Sequence, residues 1–158
     1  MPRLLIAAAM LAAAGSPALA FDATPRQFEA GTTYETCFTP GQNCEGLIVA
    51  EISAARSSIL LQAYSFTSKP IAAALTAAKR RGVDVRAVLD KSQRTERYSG
   101  ATFLADAGIP VVIDELPAIA HNKVLVIDAT TTITGSFNFI PRRAGAQREE
   151  CLCDPWRS

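Results

Sequence analysis

The chain has 158 residues, 49% of them hydrophobic, a length that suits one globular domain. Sixteen Lys and Arg stand against fifteen Asp and Glu, which excludes a polybasic surface as the main means of holding a partner; any nucleic-acid contact needs a local basic cluster. One histidine and four cysteines, at spacings poor for zinc, do not make a metal cage.

In chain order, Pro2-Arg3, the apolar run Leu4 to Ala14 and the small-residue end Ala18-Leu19-Ala20 read as a secretory signal peptide over 1–20. The run is too short to span a bilayer, which needs about 20 apolar residues. Cleavage is expected after Ala20, placing the protein in the periplasm or outside the cell. Removal of Arg3 leaves 15 basic against 15 acidic residues, a net charge of zero. Residues 21–31 read as a leader segment. Thr32 to Phe38 is a short strand ending at a Pro40-Gly41 turn. Cys37 and Cys44 flank that turn and are candidates for a local disulfide, which export permits. Cys151 and Cys153 receive no pairing.

Cys44 to Arg56 carries a helical stripe through Leu47, Ile48, Ile52 and Ala55. Ser58 to Ser65 is a buried strand. Ser68 caps the next helix, with Pro70 in its first turn. Lys79-Arg80-Arg81-Gly82 closes that helix, and the basic run is read as helix-end electrostatics rather than a DNA contact. Val83 to Leu89 is a strand, Ala101 to Gly108 a helix, and Pro110–Ile113, Lys123–Asp128 and Thr130–Thr134 are strands. The loop from Lys91 to Tyr98 holds three cations and a tyrosine. It is either a phosphate contact or a solvated loop. Alternating strands and helices predict an α/β domain with a mixed, largely parallel β-sheet flanked by helices on both faces. Functional groups in such sheets gather at the carboxyl ends of strands.

The informative segment is His121-Asn122-Lys123 with Asp128, then Gly135-Ser136-Phe137-Asn138, the pattern H-x-K-x4-D-x6-G-S-x-N. His121 and Lys123, two apart at a strand start, face one side. Gly135 lets backbones approach closely. Ser136 and Asn138 offer a hydroxyl and an amide. An imidazole is a nucleophile at working pH, and an ammonium with neutral donors stabilises charge growing on phosphoryl oxygens.

This pattern matches the HKD motif and resembles the phospholipase D superfamily. Ala63-Tyr64-Ser65-Phe66-Thr67, Ala78 to Val85 and Gly108-Ile109-Pro110 are similar to the small single-motif bacterial endonucleases of that superfamily. The likeness covers roughly 33–139. It implies a phospholipase D/nuclease-like fold over 32–140 and a phosphodiesterase needing no metal ion or other cofactor. One histidine attacks phosphorus and forms a phosphohistidine while a second protonates the leaving oxygen. With one motif per chain, the resemblance implies a homodimer in which each chain supplies His121. Lys123 and Asn138 would hold the phosphate, and Ser136 would hydrogen-bond in the same site. Asp128 would orient or balance neighbouring charges, with a structural role as the alternative. Substrate classes implied are nucleic acid, DNA before RNA, and phospholipid headgroups.

Beyond Phe139 the likeness decays. Glu149 falls by spacing at the position of a glutamate that orients the nucleophile, but its surroundings differ. Residues 141–158 are expected to be a divergent or truncated tail, with the C-terminal strand missing. A frameshift within Ala146 to Asp154 would account for the departure, and an inactive phosphate-binding remnant is a further reading.

Overall fold

A computed structural model describes residues 28, 30–94, 100–140 and 149–155, the side chains of 149 and 153–155 excepted. The expected signal peptide and its cleavage site lie outside the described residues. The elements are β1 (Glu35–Thr39), α1 (Cys44–Ala54), β2 (Ser58–Ala63), α2 (Lys69–Arg80), β3 (Asp84–Asp90), a 3-10 turn over Lys91–Arg94, α3 (Gly100–Asp106), β4 (Val111–Asp114), β5 (Lys123–Ile127), β6 (Thr131–Gly135) and β7 (Glu149–Pro155).

Local chemistry sets the helix ends. The Asn43 side chain accepts from the Gly46 amide and starts α1, and Ser68 accepts from the Ile71 amide and starts α2. Ser68 also donates to Glu45 in the first turn of α1. At the end of α2 the Arg81 guanidinium donates to the carbonyls of Ile52 and Ala55, at 3.2 and 3.3 Å. The basic run thus satisfies the open carbonyl end of α1. The Cys37–Cys44 disulfide forms and ties β1 to the first turn of α1.

The strands make one seven-stranded sheet in the order β1-β7-β6-β5-β2-β3-β4. The mixed α/β architecture is the expected one, with two corrections. Only β2–β3 and β3–β4 are parallel, whereas the other four neighbouring pairs are antiparallel. The sheet is therefore not largely parallel. The described helices also share one face. The β2-α2-β3 and β3-α3-β4 crossovers step across the sheet in the same direction, so right-handed connections put both helices on one side. Ile48 and Ile52 of α1, Ile71 and Leu75 of α2 and Leu104 of α3 join Ile59, Leu61, Val85, Leu89 and Leu125 in a single core. On the opposite face Leu60 is 49% and Val112 61% exposed, beside a groove of about 630 Å³.

A third correction concerns the tail. β7 is formed by the sequence as it stands and lies between β1 and β6, with Cys151 opposite Cys37 and Gly135. The expected missing strand is present, and the sheet does not stop at residue 140. Cys151 is buried and Leu152 exposed, the alternation a one-sided strand requires. Its few apolar side chains hid it. Its backbone pairs on both sides, which supplies what propensity does not.

Candidate active site at the head of β5

His121 lies on the segment joining β4 to β5 and is exposed. The carbonyl of its neighbour Asn122 accepts from the Tyr64 amide at 2.8 Å, which carries the β2–β5 ladder one step beyond the regular strands. Lys123 opens β5 opposite Ala63 and is only 6% exposed. Its ammonium bends back to His121, with Nζ 3.2 Å from Nε2 and 3.3 Å from the carbonyl oxygen. An ammonium only donates, so this contact requires an Nε2 lone pair and puts the imidazole proton on Nδ1. Released from the ammonium, such a lone pair has the chemistry to attack a phosphoryl group. The Tyr64 ring lies 4.5 Å from the imidazole centroid, and Lys123 Nζ sits 5.5 Å from the Tyr64 centroid. The ring face thereby supports a desolvated cation.

The segment 136–139 runs beside the same ends of β2 and β5. Register between β5 and β6 pairs Val124 with Thr134, which carries Gly135 and Ser136 alongside Lys123 and Asn122. Gly135 has φ of 147°, and a Cβ there would meet the Glu150 carbonyl oxygen at 2.2 Å. No other residue allows β7 so close. That carbonyl accepts from the amides of Ser136 and Phe137, while the Ser136 hydroxyl accepts from the Glu150 amide at 2.9 Å. Ser136 keeps its own O–H for an incoming oxygen. The carbonyl of Phe139 accepts from the amides of Thr67 and Ser68, and Phe139 packs edge-on against Phe66. Asn138 sits between these anchors, half-buried. Glu149 pairs through its backbone with Thr39, and its side chain lies outside the described residues.

Asp128 is not at this site. It follows the far end of β5, about 20 Å along the strand by rise per residue. Its carboxylate accepts from the amides of Arg56, Ser57 and Ser58, at 2.9, 2.7 and 2.9 Å, and from the Ser57 hydroxyl at 2.8 Å. Burial pushes its pKa up, but hydrogen bonds from Ser58, Ser57 and Arg56 outweigh this and bring it down to about 2. Of the two roles open to Asp128 in the sequence, the contacts fit the structural one and not charge balance at the site: it fastens the start of β2 and stops α1. The chain affords this through positive φ at Asp128 and Ala129, 53° and 56°.

Residues 48–154 match the family model described as "Cardiolipin synthase, PLD-like domain". The chain belongs to the phospholipase D superfamily. Among curated members, it is 48% identical over 104 residues to a phospholipase D of Rickettsia prowazekii, covering 66% of this chain and 51% of that one. It is 31% identical over 112 residues to the human mitochondrial cardiolipin hydrolase, covering 71% and 44%. The chain thus spans about half the length of these curated relatives. Among solved structures it resembles Nuc of Salmonella typhimurium, a phospholipase D family member, with TM-score 0.74, 36% identity, and coverage of 78% of this chain and 83% of that one. NucT from Helicobacter pylori, 23% identical with TM-score 0.67, shares the fold.

Two groups around the superfamily motif received no role in the sequence. Tyr64 stands in the sequence as part of the Ser58–Ser65 strand and of the Ala63–Thr67 resemblance, without a role, because its ring contact depends on the β2–β5 pairing. Asp90 ends β3 and is 2% exposed; a buried acid at a strand's carboxyl end is the signal that could have found it. Of the cations after β3, Lys91 donates to the Pro117 carbonyl and Arg94 pairs with Glu115. Both are engaged by a neighbouring loop. Arg97 and Tyr98 lie outside the described residues. Among the described residues no three His, Cys, Asp or Glu side chains group to hold a metal ion, and no helix is long and apolar enough to cross a membrane.

Proposed function

We propose that this protein is a metal-independent phosphodiesterase, and that its substrate is DNA, or RNA, cut internally at a site shared by two copies of the chain. The observation that carries the reading is the exposed His121 with its Nε2 lone pair turned to the Lys123 ammonium. In the proposed reaction Nε2 attacks phosphorus and the P–O ester bond breaks. The leaving oxygen takes a proton from the second copy's imidazolium, which becomes neutral. Water then attacks phosphorus, gives its proton to that second imidazole, and displaces His121 Nε2. The phosphomonoester is released and the pair is restored. Lys123, Ser136 and Asn138 are the groups this reading assigns to the non-bridging oxygens. Likeness to Nuc, a phospholipase D family member at 36% identity, supports the phosphodiesterase class, and the single motif, similar to the small bacterial endonucleases of the superfamily, favours nucleic acid as substrate. We place the protein in the periplasm or outside the cell, on the strength of the apolar leader and the Cys37–Cys44 disulfide.

A second reading, cleavage of phospholipid headgroups, is favoured by the curated relatives named for phospholipase D and cardiolipin hydrolysis. One experiment separates the two. Protein beginning at Phe21 is incubated in EDTA with supercoiled plasmid and with phosphatidylcholine or cardiolipin vesicles. Nicking that His121→Ala abolishes is the expected result. Headgroup release without nicking replaces it with the lipid reading, and inertness to both in a folded dimer rejects phosphodiesterase action.

A further inference from the structure

The segment that delivers His121 has no regular structure between Asp114 and Lys123. Its downstream side is held by β5 and by the Tyr64–Asn122 hydrogen bond. Its upstream side would be free to swing were it not tied elsewhere. The tie is Asp90. One carboxylate oxygen accepts from the Ser92 amide at 2.9 Å, and the other accepts from the Ala120 amide at 2.7 Å, one residue before His121. Ala120 is itself 3% exposed. We propose that Asp90 is a positioning residue: its buried carboxylate clamps the backbone at Ala120 and so fixes the imidazole of His121 against Tyr64 and Lys123.

The proposal rests on the phosphodiesterase reading for its kinetic consequence, though not for its structural one. The Asp90 carboxylate bonds the backbone amides of Ser92 and Ala120 and not the His121 ring, so it acts through the chain. Lys91 to Pro117 and Arg94 to Glu115 join the same two loops, but through exposed groups that water replaces. Of these three contacts the Asp90–Ala120 bond is the buried one, and leaving a buried amide without its acceptor carries a penalty. Burial raises the Asp90 pKa, yet the Ala120 and Ser92 hydrogen bonds more than compensate and hold it below the usual carboxylate range. The clamp is therefore charged under working conditions, and charged acceptors make the stronger hydrogen bonds. A small displacement of a nucleophile is expensive, since about 1 Å can cost about 10²-fold in rate.

Asp90→Asn presents an amide where two N–H groups converge, so one of them loses its acceptor. The test measures two things on this variant, on Asp90→Ser, and on the control Asp84→Asn, a surface carboxylate paired with Arg86. Asp90→Ser buries no charge and, one bond shorter than Asp, withdraws the acceptor from Ala120, which keeps the test open if the amide variant does not fold. The first readout is the nuclear Overhauser contact between the Tyr64 ring and His121, whose imidazole is the only one in the chain. The second is kcat and KM with a soluble phosphodiester, bis(p-nitrophenyl) phosphate. Expected are a weakened Tyr64–His121 contact and a kcat roughly 10- to 100-fold lower, with KM within about threefold, in both Asp90 variants and not in the control. An unchanged ring contact in a folded Asp90 variant overturns the proposal, as does an unchanged kcat in an active enzyme. If wild type cleaves nothing, the phosphodiesterase reading fails, and the ring contact alone still decides whether Asp90 positions His121.

Discussion

The two ends of β5 carry the polar residues of one motif and put them to opposite uses. At the head, His121 is exposed, and its Nε2 lies 3.2 Å from the Lys123 ammonium. At the tail, Asp128 receives four hydrogen bonds from consecutive residues of the α1–β2 connection. One end joins an exposed ring to a buried ammonium; the other commits its carboxylate to the fold. A fixed spacing of histidine, lysine and aspartate is therefore the length of a strand with chemistry at one end and an anchor at the other.

The sharpest way to break this contrast is to remove a side chain from each end. His121→Ala should lower phosphodiester cleavage by roughly 10⁴-fold or more and leave the melting temperature within a degree or two, since the ring is exposed. A variant that kept even a tenth of wild-type rate in single-turnover assays would sink the assignment of the nucleophile. Lys123→Met keeps the buried stem and removes the charge. The expected loss is about 10²- to 10³-fold in kcat/KM.

Asp128→Asn should do the reverse. Specific activity of the folded enzyme should stay within about twofold, while stability falls by about 2 kcal/mol. The sign of the pH effect follows from a folded pKa of about 2 against an ordinary 3.8. The contribution is fully present above pH 3.8 and is lost as pH falls toward 2. Urea unfolding between pH 2 and 6 should show wild type losing more stability than Asp128→Asn over that interval. Parallel curves would mean that the carboxylate does not hold β2 in solution.

Much of this was legible before the fold was known. Ser68, Pro70 and the Lys79-to-Gly82 run bounded α2 correctly because capping chemistry is local. The helical stripe runs on to Arg56, two residues past the end of α1, because what stops that helix is Asp128, which takes the Arg56 amide from 72 positions away. β7 escaped for a similar reason. Glu149 to Pro155 has little intrinsic strand character, and only its slot between β1 and β6, kept open by Gly135, makes it a strand. At the site, residues brought together by the strand itself, His121 with Lys123, could be read from spacing. Tyr64 and Asp90 reach it across β2–β5 and from the end of β3, and no spacing in the chain encodes that.

Tyr64 offers the finest test of the open end of β5. If the ring matters as a π face beneath Lys123 and beside His121, Tyr64→Phe should behave as wild type. Tyr64→Leu, which fills similar space without a quadrupole, should lose the cation–π contribution. At about 1 kcal/mol, that is roughly fivefold in kcat/KM. Steady-state assays resolve such a difference easily. Should Phe lose as much as Leu, the phenol oxygen and not the ring face would be the functional group, and Tyr64 would move from supporting the ammonium to contacting the substrate.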